Sequence, residues 1–151
     1  MGCILIFKTS VDATMKRLFQ ELGGQDIDCL IQSSQVGRYK AQYPYINFID
    51  ICQESFYDLP AEVTDKIVSK TYDKVFVTFS GINGHNYGNV METVSRVRFK
   101  RAFFYNCNGD KIRIPRRNPV RDALCRLYIR WTGFIYILRS ERQGVRHSRI
   151  H

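Results

Sequence analysis

Cys3-Ile4-Leu5-Ile6-Phe7-Lys8-Thr9-Ser10-Val11-Asp12, running on through Met15, Leu18, Phe19 and Leu22 to Gly23-Gly24, is the most informative stretch of the 151-residue chain. Its first five residues are apolar without alternation, as in a strand covered on both faces. The next apolar residues fall at i, i+3, i+4 and i+7, one face of a helix, and the glycine pair stops it. A buried strand followed at once by an amphipathic helix is the opening of a βα unit, and the rest of the chain can be tested for repetition of it.

Short apolar runs rich in Ile, Val, Phe or Tyr recur at residues 27–31, 46–51, 75–79 and 102–105. Between the third and fourth, Pro60 opens a helix whose inner face is Val63, Ile67 and Val68, with residues 71–74 leading back to the sheet. After the fourth, Tyr87, Val90, Met91, Val94 and Val97 form another helical stripe. Segment 33–44 is less periodic and ends at Tyr43-Pro44, which predicts a short or partial helix. Asn108-Gly109, between residues 103–107 and 111–114, is a strong hairpin signal and turns the fifth strand back on itself. The pattern predicts an α/β domain over residues 1–115, doubly wound around a mostly parallel, five-stranded, Rossmann-like sheet.

The charge is unevenly placed. Residues 1–110 carry 12 Lys and Arg against 12 Asp and Glu, whereas residues 111–151 carry 11 Lys and Arg against only Asp122 and Glu141, so the whole net charge of +9 lies in the last 41 residues. Five cysteines, Cys3, Cys29, Cys52, Cys107 and Cys125, form no C-x-x-C pair and no metal-ligand spacing, which points to reduced thiols and to no metal or other cofactor; three of them lie in or at the end of apolar runs and read as small hydrophobes, with a reactive thiol as the alternative. The N-terminus lacks the basic region and the long apolar core of a signal peptide, and no run reaches the roughly 20 apolar residues of a membrane span. A cytoplasmic chain is expected, with the option of a peripheral site on the inner face of the cell membrane.

In an open parallel sheet, ligands bind beyond the carboxyl ends of the strands. Two connections expected at that edge carry unusual residues. Lys8, Thr9, Ser10, Val11 and Asp12 run from the first strand into the first helix, placing a cation, two hydroxyls and a carboxylate at a helix N-terminus. Asp12 either caps that helix or serves as a general base or ligand contact. The second connection, Ser80-Gly81-Ile82-Asn83-Gly84-His85-Asn86-Tyr87-Gly88-Asn89, combines three glycines with three asparagines and a histidine. Glycines let a backbone approach a ligand, and the amides of the following helix suit a phosphate or carboxylate. A turn requiring positive φ explains the glycines equally well, and His85 alone reads as a loop hydrogen-bonder. Neither G-x-G-x-x-G nor a Walker A loop is present.

Residues 116–139 read as a basic amphipathic helix. Val120, Leu124, Leu127, Trp131, Phe134, Ile135 and Leu138 share one face, with Arg116, Arg117, Arg121, Arg126, Arg130 and Arg139 around them. Apolar surface with Trp131 and Phe134, rimmed by arginines, fits a helix lying on an anionic membrane surface. The alternatives are that it covers the sheet as a last helix, or that residues 131–138 add an edge strand. Residues 140–151 are polar and basic, the composition of a disordered tail. Nucleic acid is the less favoured partner, because these cations accompany an apolar segment that itself needs covering.

An apolar strand followed by Lys8, Ser10, Val11 and Asp12 and then a helix resembles the opening of the heptosyltransferase-type (family 9) glycosyltransferases, with their basic-x-Ser-x-Leu-Gly-Asp loop. Tyr72-Asp73-Lys74-Val75 is similar to the Phe/Tyr-Asp-x-Val/Ile stretch of the same half. The resemblance covers residues 3 to about 115 and implies the N-terminal Rossmann-like half of a GT-B enzyme. It further implies cell-envelope polysaccharide or glycolipid assembly, a sugar or phosphate-bearing ligand, and Asp12 as the base that deprotonates an acceptor hydroxyl. Val11 stands where the family carries glycine, and the family's donor-binding domain has no counterpart in the 151 residues, so a partner subunit holding the donor is expected. A non-catalytic accessory module that binds a partner protein is the alternative from a different class.

Overall fold

The structure is a computed structural model in which residues 2–56, 58–80 and 88–115 are described. The chain divides into two compact units after Arg116, and all the described residues belong to the first. The expected helix over 116–139 and tail over 140–151 lie outside the described residues.

Strands β1 (Ile4–Phe7), β2 (Ile27–Ile31), β3 (Asn47–Asp50), β4 (Thr71–Thr78), β5 (Arg98–Tyr105) and β6 (Lys111–Ile114) form one sheet in the order β3-β2-β1-β4-β5-β6. The first five are parallel, and β6 returns antiparallel to β5. Helices α1 (Asp12–Glu21) and α2 (Ser33–Gln42) cover one face, while α3 (Ala61–Val68) and α4 (Gly88–Arg96) cover the other. The alternation along β1 shows how the chain feeds both layers. Ile4 and Ile6 pack with Met15, Leu18, Phe19 and Tyr39, whereas Leu5 and Phe7 pack with Val63, Ile67, Val90 and Val94. All four β1 side chains are fully buried, each contributing about 1.5–3 kcal/mol relative to exposure. The Rossmann-like α/β architecture is therefore present among the described residues.

The strand count is corrected from five to six. The Asn108-Gly109 turn does form, with Gly109 at φ +89°, and its second arm pairs with β5 from Tyr105↔Lys111 to Ala102↔Ile114, making a strand in its own right. Residues 71–74 are the start of β4, not a lead-in to it. Thr71 and Tyr72 pair only with β5, which extends the β4–β5 pair beyond β1, and the Tyr72 ring is fully buried. Asp73 and Lys74 give this stretch a loop-like polarity in the sequence. Segment 33–44 holds a regular ten-residue helix, although Tyr39 is its only buried residue. One buried ring contacting Phe19 and Phe48 supplies packing that the weak periodicity does not reveal.

Candidate functional site

The strand order reverses between the parallel neighbours β1 and β4, since β2 and β3 are added on one side of β1, and β4 and β5 on the other, and their carboxyl ends flank the crevice where this class of sheet takes ligands. An open cavity of about 630 Å³ lies there, lined by Lys8, Thr9, Ser10, Val11, Asp12, Ala13, Gln32, Gln35 and Ser80. The sequence-predicted residues Lys8, Thr9, Ser10 and Asp12 are thus brought together with Ser80, from the second predicted loop. Gly81, Asn83, Gly84, His85, Asn86 and Tyr87 lie outside the described residues. Gly88 and Asn89 open α4, with Asn89 exposed.

Hydrogen bonds fasten the first loop to the end of β4. The Thr9 amide donates to Thr78 Oγ1 at 3.2 Å, the Thr9 hydroxyl donates to the Thr78 carbonyl, and the Thr78 hydroxyl donates to the Phe7 carbonyl at 3.0 Å. Lys8 is only 3% exposed. Its ammonium donates to the Ser10 carbonyl at 3.0 Å, stands 3.7 Å from Asp12 Oδ1 and lies 5.2 Å from the Tyr39 ring centre. Burial lowers its pKa from the ordinary lysine value.

Asp12 does not cap α1. It is the first residue of the helix, the preceding cap position is Val11, and no side chain there bonds the helix amides. A negative charge in the first turn still favours the helix dipole. The carboxylate is committed elsewhere, accepting from the Tyr39 hydroxyl at 2.6 Å and pairing with the Arg38 guanidinium at 2.8 Å. The Tyr39 hydrogen bond, aided by the charges of Arg38 and Lys8, holds its pKa below the usual aspartate value. The Tyr39 hydroxyl is pushed upward by burial and by Asp12, so it stays a donor.

Ser10, Gln32 and Gln35, which line this cavity, each hold a buried oxygen without a partner among the described residues: Ser10 Oγ, Gln32 Oε1 and Gln35 Oε1. Ser10 is itself 6% exposed. An unsatisfied buried polar group costs about 1–3 kcal/mol, so such groups point to something that completes them. The N-terminus of α2 is in a different condition. Its Ser34 amide and hydroxyl donate to Glu54 at 3.0 and 2.6 Å, and the Ser33 hydroxyl donates to Asp50 at 2.6 Å. Acidic side chains already occupy α2, whereas α1 opens onto the cavity with an apolar residue at its cap.

Gln32, Gln35, Arg38 and Tyr39 were not legible as site residues. Gln32 directly follows β2 and could have been found by carrying the carboxyl-edge rule to the second strand. Arg38 and Tyr39 reach Asp12 only through the packing of α2 beside α1.

Elsewhere, Cys29 is fully buried and its thiol is pushed well up by desolvation, while burial and nearby carboxylates raise Cys3 to about 11. Both remain protonated and weakly nucleophilic at neutral pH. Among the described residues no group of His, Cys, Asp and Glu is placed to hold a metal ion. No helix among them is long and apolar enough to cross a membrane. The membrane-contact set, Arg116, Arg117, Arg121, Arg126, Arg130, Trp131, Phe134 and Arg139, lies outside the described residues. Comparison of the chain with protein families, curated proteins and solved structures finds no match.

Proposed function

We propose that this Rossmann-like domain binds a sugar or phosphate-bearing small molecule in the crevice between β1 and β4, in the manner of a glycosyltransferase half-domain. The observation that carries the reading is the buried, partnerless Ser10 hydroxyl at the open end of α1, in one cavity with the buried Lys8. A phosphate oxygen would accept from that hydroxyl and from the first amides of the helix, with the dipole and Lys8 favouring its charge. The cavity volume lies within the range of small-molecule sites.

In the catalytic form of this proposal Asp12 deprotonates an acceptor hydroxyl and a partner subunit supplies the donor. One observation favours the accessory form instead. A carboxylate held by Tyr39 and Arg38, with a lowered pKa, is a weak base and must exchange a partner before it takes a proton. Asp12→Ala in the producing cell separates the two. Loss of envelope polysaccharide with a folded protein supports catalysis, and unchanged output with a folded protein removes it.

Isothermal titration of the full chain with inorganic phosphate tests the site itself. Ser10→Ala is expected to weaken phosphate binding about tenfold, the equivalent of one charge-assisted hydrogen bond at roughly 1.4 kcal/mol. Absence of phosphate binding by the unaltered protein would remove the proposal. Membrane docking by residues 116–139 belongs to the same reading. Vesicles containing phosphatidylglycerol should retain the protein at low salt and release it at high salt, and vesicles of phosphatidylcholine alone should not retain it.

A further inference from the structure

The sheet ends differently on its two sides. At one end, Phe48 and Ile49 of β3 are only 5% and 4% exposed, so both faces of that strand are covered. At the other end, β6 is bonded only to β5 among the described strands, and Lys111, Ile112 and Arg113 are all exposed, Ile112 by 50%. Alternate residues of an outer strand turn their backbone N–H and C=O groups away from the sheet, which makes a template for another strand. The register fixes which side chains flank that template. Ile112 lies opposite Phe104, on the face of α3 and α4, whereas Lys111 and Arg113 lie opposite Tyr105 and Phe103, on the face of α1 and α2.

The charges decide what can pair there. Lys111 is held by Glu21 at 2.7 Å, but Arg113 has no carboxylate partner among the described residues. Arg113 also lines a cavity of about 380 Å³ where β5 runs on past the end of β6. Arg101, in the same lining, is likewise without a carboxylate among the described residues. A second copy is a poor occupant. When two β6 strands pair antiparallel with like faces together, either register that overlaps more than one residue sets Lys111 against Arg113 or Arg113 against itself. A strand bearing carboxylates meets the opposite condition. We infer that the outer edge of β6 takes an extended acidic segment of a partner protein as an added strand, with carboxylates facing Lys111 and Arg113 and an apolar residue beside Ile112. Main-chain bonds along the edge supply affinity, and the alternation of carboxylate with apolar side chain supplies selectivity. This surface is independent of the crevice between β1 and β4.

Fluorescence anisotropy of the full chain with a labelled Glu-Val-Glu-Val-Glu peptide tests the inference. That peptide is expected to bind about tenfold or more tightly than Lys-Val-Lys-Val-Lys, and to weaken as salt rises. N-methylated peptides separate strand addition from charge attraction, because an added strand turns only alternate amides toward the edge. Methylating one alternate set, either the Glu or the Val amides, should abolish binding, while methylating the other should leave it within about threefold. Arg113→Glu alters an exposed side chain, and its thermal melt should match that of the unaltered protein. It should weaken the acidic peptide by about tenfold and admit the Lys-Val peptide in its place. No binding of the acidic peptide at low salt would overturn the inference. Binding that survives Arg113→Glu, or that ignores both methylation patterns, would overturn it by placing the peptide on other cations. A single-stranded oligonucleotide that binds more tightly than the peptide and loses affinity in Arg113→Glu would overturn it in favour of nucleic acid.

Discussion

Asp28 is 1% exposed near the start of β2, yet its carboxylate is fully engaged. It accepts from Lys70 at 2.8 Å, Asn47 at 2.6 Å and Tyr72 at 3.0 Å. Burial alone would raise its pKa, and these three donors more than offset that, leaving it below the ordinary aspartate value. A carboxyl whose native pKa lies under its unfolded value, about 3.9, adds stability above that pH and loses it as the pH falls through the native value. Asp28→Asn is therefore expected to cost about 2 kcal/mol at pH 7, less than the roughly 3–5 kcal/mol of a fully buried pair because Lys70 is half-exposed. The same variant should show a shallower loss of stability below pH ~4, read by urea unfolding across pH. Asp12→Ala strands the Tyr39 hydroxyl in a buried setting and should cost about 1–2 kcal/mol, which chemical denaturation can measure.

Two glycines at the scale of whole elements should respond with opposite signs. Gly109 closes the β5–β6 turn at φ +89°, and a Cβ there would meet the Arg17 side chain at 3.1 Å. Gly109→Ala should destabilise by about 1–2 kcal/mol, since the left-handed conformation disfavours any L side chain. Gly37 sits inside α2 with nothing within 4 Å of its missing Cβ, so Gly37→Ala should stabilise by about 0.5–1 kcal/mol. Thermal melts of both variants provide the check. The turn also depends on α1, because Arg17 donates to the Asn108 carbonyl at 2.7 Å and Glu21 binds Tyr105 and Lys111 at 2.6 and 2.7 Å. These contacts hold the hairpin against a helix some 90 residues earlier in the chain, and they explain why β6 is a strand of the sheet and not a loose return.

The six described strands and the two buried layers packed on their sheet lie before residue 116. A chain ending at Arg116 should accordingly unfold in one cooperative transition, with a far-ultraviolet dichroism spectrum of mixed α/β type. Absence of a cooperative transition in that fragment would show instead that residues 1–116 do not fold on their own. The parallel sheet and three of the four helices could be read from sequence because burial on both faces writes continuous apolar runs, and burial on one face writes a 3.6-residue period. Helix α2 is longer and more regular than its sequence suggests for the same reason, since a helix anchored by the single buried Tyr39 has almost no period to display. The site was half legible: Lys8, Thr9, Ser10, Asp12 and Ser80 follow from the rule that ligands meet the carboxyl ends of strands. The state of Asp12 was not, because its partners Arg38 and Tyr39 are remote in sequence and depend on how two helices pack. Local sequence alone determined which segments are strands and helices and which loops hold polar groups, since these follow from the periodicity of burial. Only the tertiary structure decided that Asp12 is neutralised, that α2 is already capped by acids and that Ser10, Gln32 and Gln35 are left wanting partners. Hydrogen-bond satisfaction is a property of atoms a few ångströms apart, and in this fold those atoms come from residues tens of positions distant.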